Sequence, residues 1–118
     1  MNFDEVRTIA LKFPGTTDFV THGTPSIKVG SKFLMREREP GILALRCLGI
    51  DERDLLLQAD PDTFFITDHY RGYPYILARM ERLDRQWFAH HFEMIWRENA
   101  LKRHIKAYDM PDTENKTR

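Results

Sequence analysis

The hydrophobic period of this chain changes along its length, and those changes constrain the fold more than any single residue does. From Phe3 to Phe13 the apolar residues Phe3, Val6, Ile9, Ala10 and Phe13 form one stripe at helical spacing. Asn2 precedes the stripe as an N-cap with Glu5 in the capping-box position, and Pro14-Gly15 stops it. From Thr17 the period is two. Thr17 to Thr21, Ser26 to Val29, Lys32 to Glu37 and Ile42 to Leu48 read as strands, with turns at Gly30-Ser31 and Glu39-Pro40-Gly41. This is the pattern of an antiparallel meander.

Helical spacing then returns. Asp51 caps a short helix through Ala59, with Leu55 and Leu56 facing inward, and Asp60-Pro61 ends it. Thr63 to Thr67 and Tyr75 to Met80 are two further strands. Asp84 caps a longer helix whose apolar face is Trp87, Phe88, His91, Phe92 and Ile95. Asn99 marks a break, and Leu101, Ile105 and Tyr108 form a last short helix. Residues 111–118 read as a frayed polar tail. The order predicts one α+β domain over residues 1–110, a two-layer sandwich with an antiparallel sheet and helices on one face.

Composition narrows the function classes. Lys plus Arg and Asp plus Glu number 18 each, so net charge gives no general attraction to nucleic acid or membrane. Any such attraction must come from uneven distribution. Cys47 is the one cysteine, which excludes an internal disulfide and fits a reducing, cytoplasmic setting. Its parity with Leu43 and Leu45 makes it a small buried hydrophobe rather than a nucleophile. No stretch has the length of a membrane span, and the N-terminus lacks the pattern of a signal peptide.

Strand alternation locates the uneven charge. Ile27, Val29, Phe33, Met35, Leu43, Leu45, Ile76, Ala78 and Met80 take the inward parity. Lys28, Lys32, Arg36, Arg38, Arg46 and Arg79 then take the outward parity, with Leu34, Tyr75 and Leu77 among them. A basic sheet face of this kind neutralises phosphates, and interleaved Tyr and Leu contact sugars or stack on bases; it also serves a protein as a solvated face that resists edge pairing. Lys102, Arg103 and Lys106 on the last helix form a second basic patch.

The segment His69-Tyr70-Arg71-Gly72-Tyr73-Pro74 lies between two strands where a short turn would suffice. Arg71 suits a carboxylate or phosphate, and His69, Tyr70 and Tyr73 supply donors and rings, so this is a candidate anion or ligand site. The same residues also serve a structural loop anchored by Tyr70, Arg71 and Tyr73. No base–nucleophile pair is visible, so no catalytic residue is assigned. No metal or cofactor is assigned either: His90 and His91 are adjacent and point apart, and there is no His-Glu-x-x-His, cysteine pair or phosphate-binding glycine loop.

Several landmarks recur together: Ala10-Leu11-Lys12-Phe13-Pro14-Gly15, Pro25 before Ile27-Lys28-Val29-Gly30, Asp60-Pro61-Asp62-Thr63-Phe64-Phe65-Ile66-Thr67, His69 to Pro74, and Lys102-Arg103 ahead of Ala107-Tyr108. With these residues the chain resembles the MmcQ/YjbR family of small bacterial proteins from Phe3 to Tyr108. The resemblance implies a CyaY/frataxin-like two-layer fold and the family's label of DNA-binding protein. The acidic surface tied to iron in frataxin-like proteins is reduced here to Asp4 and Glu5, so iron binding does not carry over. The resulting expectation is a non-enzymatic protein that binds DNA weakly and without sequence preference through Lys28, Lys32, Arg36, Arg46 and Arg79. The alternatives are a protein-interaction or regulatory module, or an anionic small-ligand binder, using the His69–Pro74 loop.

Overall fold

A computed structural model describes residues 1–110; the expected tail, 111–118, lies outside the described residues. Helix α1 (Phe3–Ala10) begins at Asn2, whose side chain accepts from the Glu5 N–H while the Glu5 carboxylate accepts from the Asn2 N–H. The chain leaves it through Gly15, held at φ +77°, where a Cβ would lie 2.5 Å from the His104 ring. Strands β1 (Thr16–Thr21), β2 (Thr24–Val29), β3 (Lys32–Glu39) and β4 (Ile42–Arg46) form the expected meander. Helix α2 (Ile50–Ala59) follows, then β5 (Phe64–Phe65), a 3-10 turn at Asp68–Tyr70, and β6 (Tyr75–Arg79). Helices α3 (Arg85–Asn99) and α4 (Lys102–Asp109) end the described chain. Asp84 caps α3 by accepting from the Trp87 N–H.

The six strands form one sheet in the order β1-β2-β3-β4-β6-β5, every pair antiparallel. Its inner face carries a line of register partners, Ile27, Met35, Leu45 and Ile76, all fully buried. They share one core with Val6 and Phe13 of the N-terminal segment and Phe88, Phe92, Ile95 and Trp96 of α3. Helix α4 joins this layer through Tyr108, whose ring stacks 4.9 Å from Phe13 and meets Trp96 at 5.2 Å. The α+β sandwich expected from the period changes is therefore the observed architecture. None of these helices is long and apolar enough to cross a membrane.

Three local expectations are corrected. First, β3 carries a bulge. Ile27 pairs with Met35 but Lys28 pairs with Phe33, so Leu34 is an extra residue. Leu34 turns into the core beside Met35, and Phe33 moves to the outer face. Lys32 then lies opposite Val29, off the outer-face register. Second, Gly49 rather than Asp51 precedes α2. Third, Leu55 is 65% exposed, while Arg53 is buried and Leu56 half-buried. Arg53, Leu56 and Leu57 follow the i, i+3, i+4 spacing of one helix face, which leaves Leu55 on the other side.

Candidate nucleic-acid interface

The outer face has its own continuous row of register partners: Phe19, Ser26, Arg36, Ala44, Leu77 and Phe65. Beside it lie Lys28 opposite Phe33 and Arg46 opposite Tyr75. The aromatic rings touch in series. Phe19 meets Phe33 edge-on at 6.3 Å, Phe33 meets Tyr75 at 6.0 Å, and Tyr75 meets Tyr70 at 6.4 Å. The loop extends the series, with His69 5.1 Å from Tyr70 and 6.5 Å from Tyr73. Such edge and tilted contacts are the geometry that ring quadrupoles favour.

Cations lie over three rings of this series and over Phe65 at the sheet's far edge. Lys28 Nζ is 5.0 Å from the Phe19 centroid, and the guanidinium carbons of Arg46, Arg38 and Arg79 are 5.9, 5.5 and 4.3 Å from Tyr75, Tyr70 and Phe65. Their polar ends bond to uncharged groups. Arg46 donates to the Phe33 carbonyl at 2.7 Å, Arg36 to Thr24 Oγ1 at 3.1 Å, and Arg79 to the Asp62 carbonyl at 3.2 Å. Among the described residues, Lys28, Arg36, Arg38, Arg46 and Arg79 form no ion pair. The face therefore keeps five positive charges while most of the other arginines are paired with carboxylates. These side chains are half-buried and lie flat, not free in solvent as strand parity alone suggests.

A cleft of about 220 Å³ opens where the sheet meets the loop, lined by Phe33, Arg36, Ala44, His69, Tyr70, Tyr73 and Tyr75. The structure thus joins the two candidate sites of the sequence, the basic sheet face and the His69–Pro74 loop. Burial raises the Tyr75 hydroxyl above the usual tyrosine range, and the adjacent Arg46 charge opposes part of that effect.

The loop's anchor is a residue that sequence reasoning missed. Arg53 Nη1, from α2, lies 2.9, 3.0 and 2.8 Å from the carbonyl oxygens of Tyr70, Arg71 and Tyr73. Nε and Nη2 of the same guanidinium donate to Asp54 at 3.1 and 3.0 Å. Arginine's planar fork of donors suits this convergence. Arg71, expected to tie the loop down, is exposed and pairs with exposed Asp68 three residues away. The legible signal for Arg53 was its helical spacing with Leu56 and Leu57.

The second basic patch does not reach this face. Lys102, Arg103 and Lys106 are exposed on α4, which packs in the helix layer. A larger groove of about 500 Å³ also lies there, between α1, α3 and α4. Its Arg85 is paired with Glu5 and its Glu93 with Arg97, which leaves Lys12 as its one Lys or Arg without a carboxylate partner among the described residues, against five on the outer face.

No protein-family model matches the chain, and no curated protein matches it. Among solved structures it is similar to Deinococcus radiodurans protein DR2400, a DUF419 domain, with a TM-score of 0.70 and 15% identity. The likeness covers 94% of this chain and 90% of that one. At this identity it shows the fold, shared over almost the full length. DUF419 is the MmcQ/YjbR family, which is consistent with the resemblance read from the residues.

Proposed function

We propose that this chain is a non-enzymatic nucleic-acid-binding protein of the MmcQ/YjbR kind, and that it takes single strands on the outer face of its sheet. The observation that carries this reading is a row of touching rings among five cations that have no carboxylate partner among the described residues, with Lys28, Arg38 and Arg46 lying over rings of the row. Single-strand binders combine positive charge along the backbone with rings on which bases stack. In a duplex the base faces are already stacked on one another, so only the cations of this surface would be used. The cleft of about 220 Å³ is smaller than the roughly 300–1,000 Å³ of typical ligand pockets. That size favours one planar ring system, such as a base, over an extended ligand.

A binding role fits the loop, because His69 meets the rings of Tyr70 and Tyr73 rather than a nucleophile. A cytoplasmic setting is part of this reading, supported by the buried free thiol of Cys47. A protein-interaction role for the loop is the second reading, favoured by Tyr73, which is 59% exposed.

The test is a fluorescence-anisotropy titration of a labelled oligothymidylate and a duplex, each at two salt concentrations. Nonspecific affinities of about 10⁻⁴ to 10⁻⁶ M are expected, with a log–log salt slope near −0.7 per phosphate contact on the single strand. The single strand should bind more tightly than the duplex. Arg36→Ala combined with Arg38→Ala should abolish binding while the far-UV spectrum is retained. Arg46 is left alone because it holds the Phe33 carbonyl. Absence of binding at low salt, or an unaffected double variant, overturns the proposal and favours the protein-interaction reading.

A further inference from the structure

Three residues that the outer face does not use meet on the helix side of the sheet. Cys47 follows β4, Glu52 lies in the first turn of α2, and His91 lies in the middle of α3. One potential ligand atom from each lies within 4.8 Å of the other two. Cys47 and His91 are buried, whereas the Glu52 side chain is 26% exposed and gives the group its access to solvent. Cys47 and Glu52 are close in sequence but His91 comes from a separate helix, so no spacing motif announces the three.

The orientations of His91 and Glu52 are fixed from outside the cluster. His91 Nε2 is 2.8 Å from the Arg46 carbonyl oxygen. A carbonyl only accepts, so Nε2 carries the proton and neutral His91 presents a lone pair at Nδ1. Glu52 Oε1 accepts from the Leu48 N–H at 2.8 Å, which leaves Oε2 toward His91. Trp87 stacks on the imidazole with ring centroids 4.8 Å apart. A histidine whose second ring nitrogen is committed to a backbone carbonyl is the usual arrangement of a metal-bound imidazole.

Nδ1 and Oε2 are 3.7 Å apart. That is too long for a hydrogen bond. It is close to the separation of two donors on one tetrahedral ion, about 3.4 Å from N and O bond lengths of about 2.0–2.2 Å. Burial favours the neutral imidazole, so two acceptors face each other next to a thiol. Such an arrangement calls for a positive occupant.

We propose that Cys47 Sγ, Glu52 Oε2 and His91 Nδ1 bind a zinc-class divalent cation, with a fourth position open to water or an exogenous ligand. Thiolate, carboxylate and neutral imidazole balance the charge of the ion. Binding breaks the S–H bond: sulfur keeps the electron pair and donates it to the metal, and the proton leaves to solvent. In the absence of the ion, burial and the nearby Glu52 hold the thiol protonated.

The test is titration of the reduced full chain with cobalt(II), following the thiolate-to-cobalt absorption in the near ultraviolet. The expected result is a saturable band at one equivalent, displaced by zinc and absent in Cys47→Ser. Glu52→Gln keeps the shape of a half-exposed side chain and should weaken binding by more than the roughly 10–100-fold cost of losing an outer partner. No band in the folded protein overturns the proposal, as does a band that survives in Cys47→Ser. If Cys47→Ser does not fold, Glu52→Gln decides: wild-type cobalt affinity in that variant overturns the site.

Discussion

Ile27, Met35, Leu45 and Ile76 run across the inner face of the sheet and pack with α3, while Phe19, Ser26, Arg36, Ala44 and Leu77 run parallel to them on the outer face. The inner line is held by volume: apolar side chains removed from water and close-packed. The outer line is held by direction, with rings edge to face, guanidinium groups over rings, and donors aimed at particular carbonyl oxygens. Loss of volume is costly wherever it occurs in a packed layer. Loss of direction costs less stability but frees or removes charge. This is why charge and stability can be changed separately on the outer face.

Substitutions that break the comparison should follow this order. Phe92→Ala, at a fully buried position of the inner layer, should destabilise by about 3–5 kcal/mol in chemical denaturation. A loss under about 1 kcal/mol would mean that the helix layer does not close on the sheet as described. Arg53→Met, which removes the guanidinium from the carbonyls of Tyr70, Arg71 and Tyr73 and leaves that of Arg71 with no other donor among the described residues, should cost about 2–4 kcal/mol. It should also raise amide exchange across the loop while leaving β1 to β4 protected. Arg53→Lys should not restore the fork, because an ammonium lacks its geometry.

Outer-face changes should be smaller. Arg46→Ala removes one cation over Tyr75 and one hydrogen bond to the Phe33 carbonyl, an expected loss of about 1–2 kcal/mol. Arg71→Ala should change stability by less than about 0.5 kcal/mol, since the side chain is exposed and its partner Asp68 is exposed too. A larger loss for Arg71→Ala than for Arg53→Met would reverse the assignment of the loop's anchor.

The two faces also share one pH response. Burial pushes the Cys47 thiol from 9.0 up to about 12, and burial raises the Tyr75 hydroxyl as well. Both groups are neutral below their unfolded values and resist ionising in the fold. The unfolded chain therefore sheds these protons first, and stability falls as pH rises above about 9. Denaturation midpoints measured across that range should drop less in Tyr75→Phe than in wild type. A midpoint that is flat in wild type would contradict the burial of both groups. In the metal-free protein at neutral pH, a thiol reagent should label Cys47 far more slowly than it labels the unfolded chain.

Much of the inner face was legible in the sequence because apolar periodicity reports burial directly. Phe3, Val6, Ile9, Leu43, Leu45 and Ile76 fall where alternation and helical spacing put them. The outer face was legible in its charge but not in its geometry. A single bulge at Leu34 exchanges the faces of Phe33 and Leu34 and takes Lys32 off the face, and no local residue signal announces it. Arg53 was overlooked because a charged residue in a short helix reads as solvent-facing, although its spacing with Leu56 and Leu57 places it inward. The cleft was hidden for a different reason: it joins β3, β4, β6 and the loop, and only topology brings them together.

The most direct test of the central claim, that the outer face is the binding surface, is chemical-shift mapping of the labelled protein during titration with oligothymidylate at low salt. Shifts should centre on Phe19, Lys28, Phe33, Arg36, Arg38 and the Tyr70 to Tyr75 segment, with the helix layer unperturbed and the shifts reversed by added salt. Shifts confined to Lys102, Arg103 and Lys106 on α4, or no shifts at all, would contradict it.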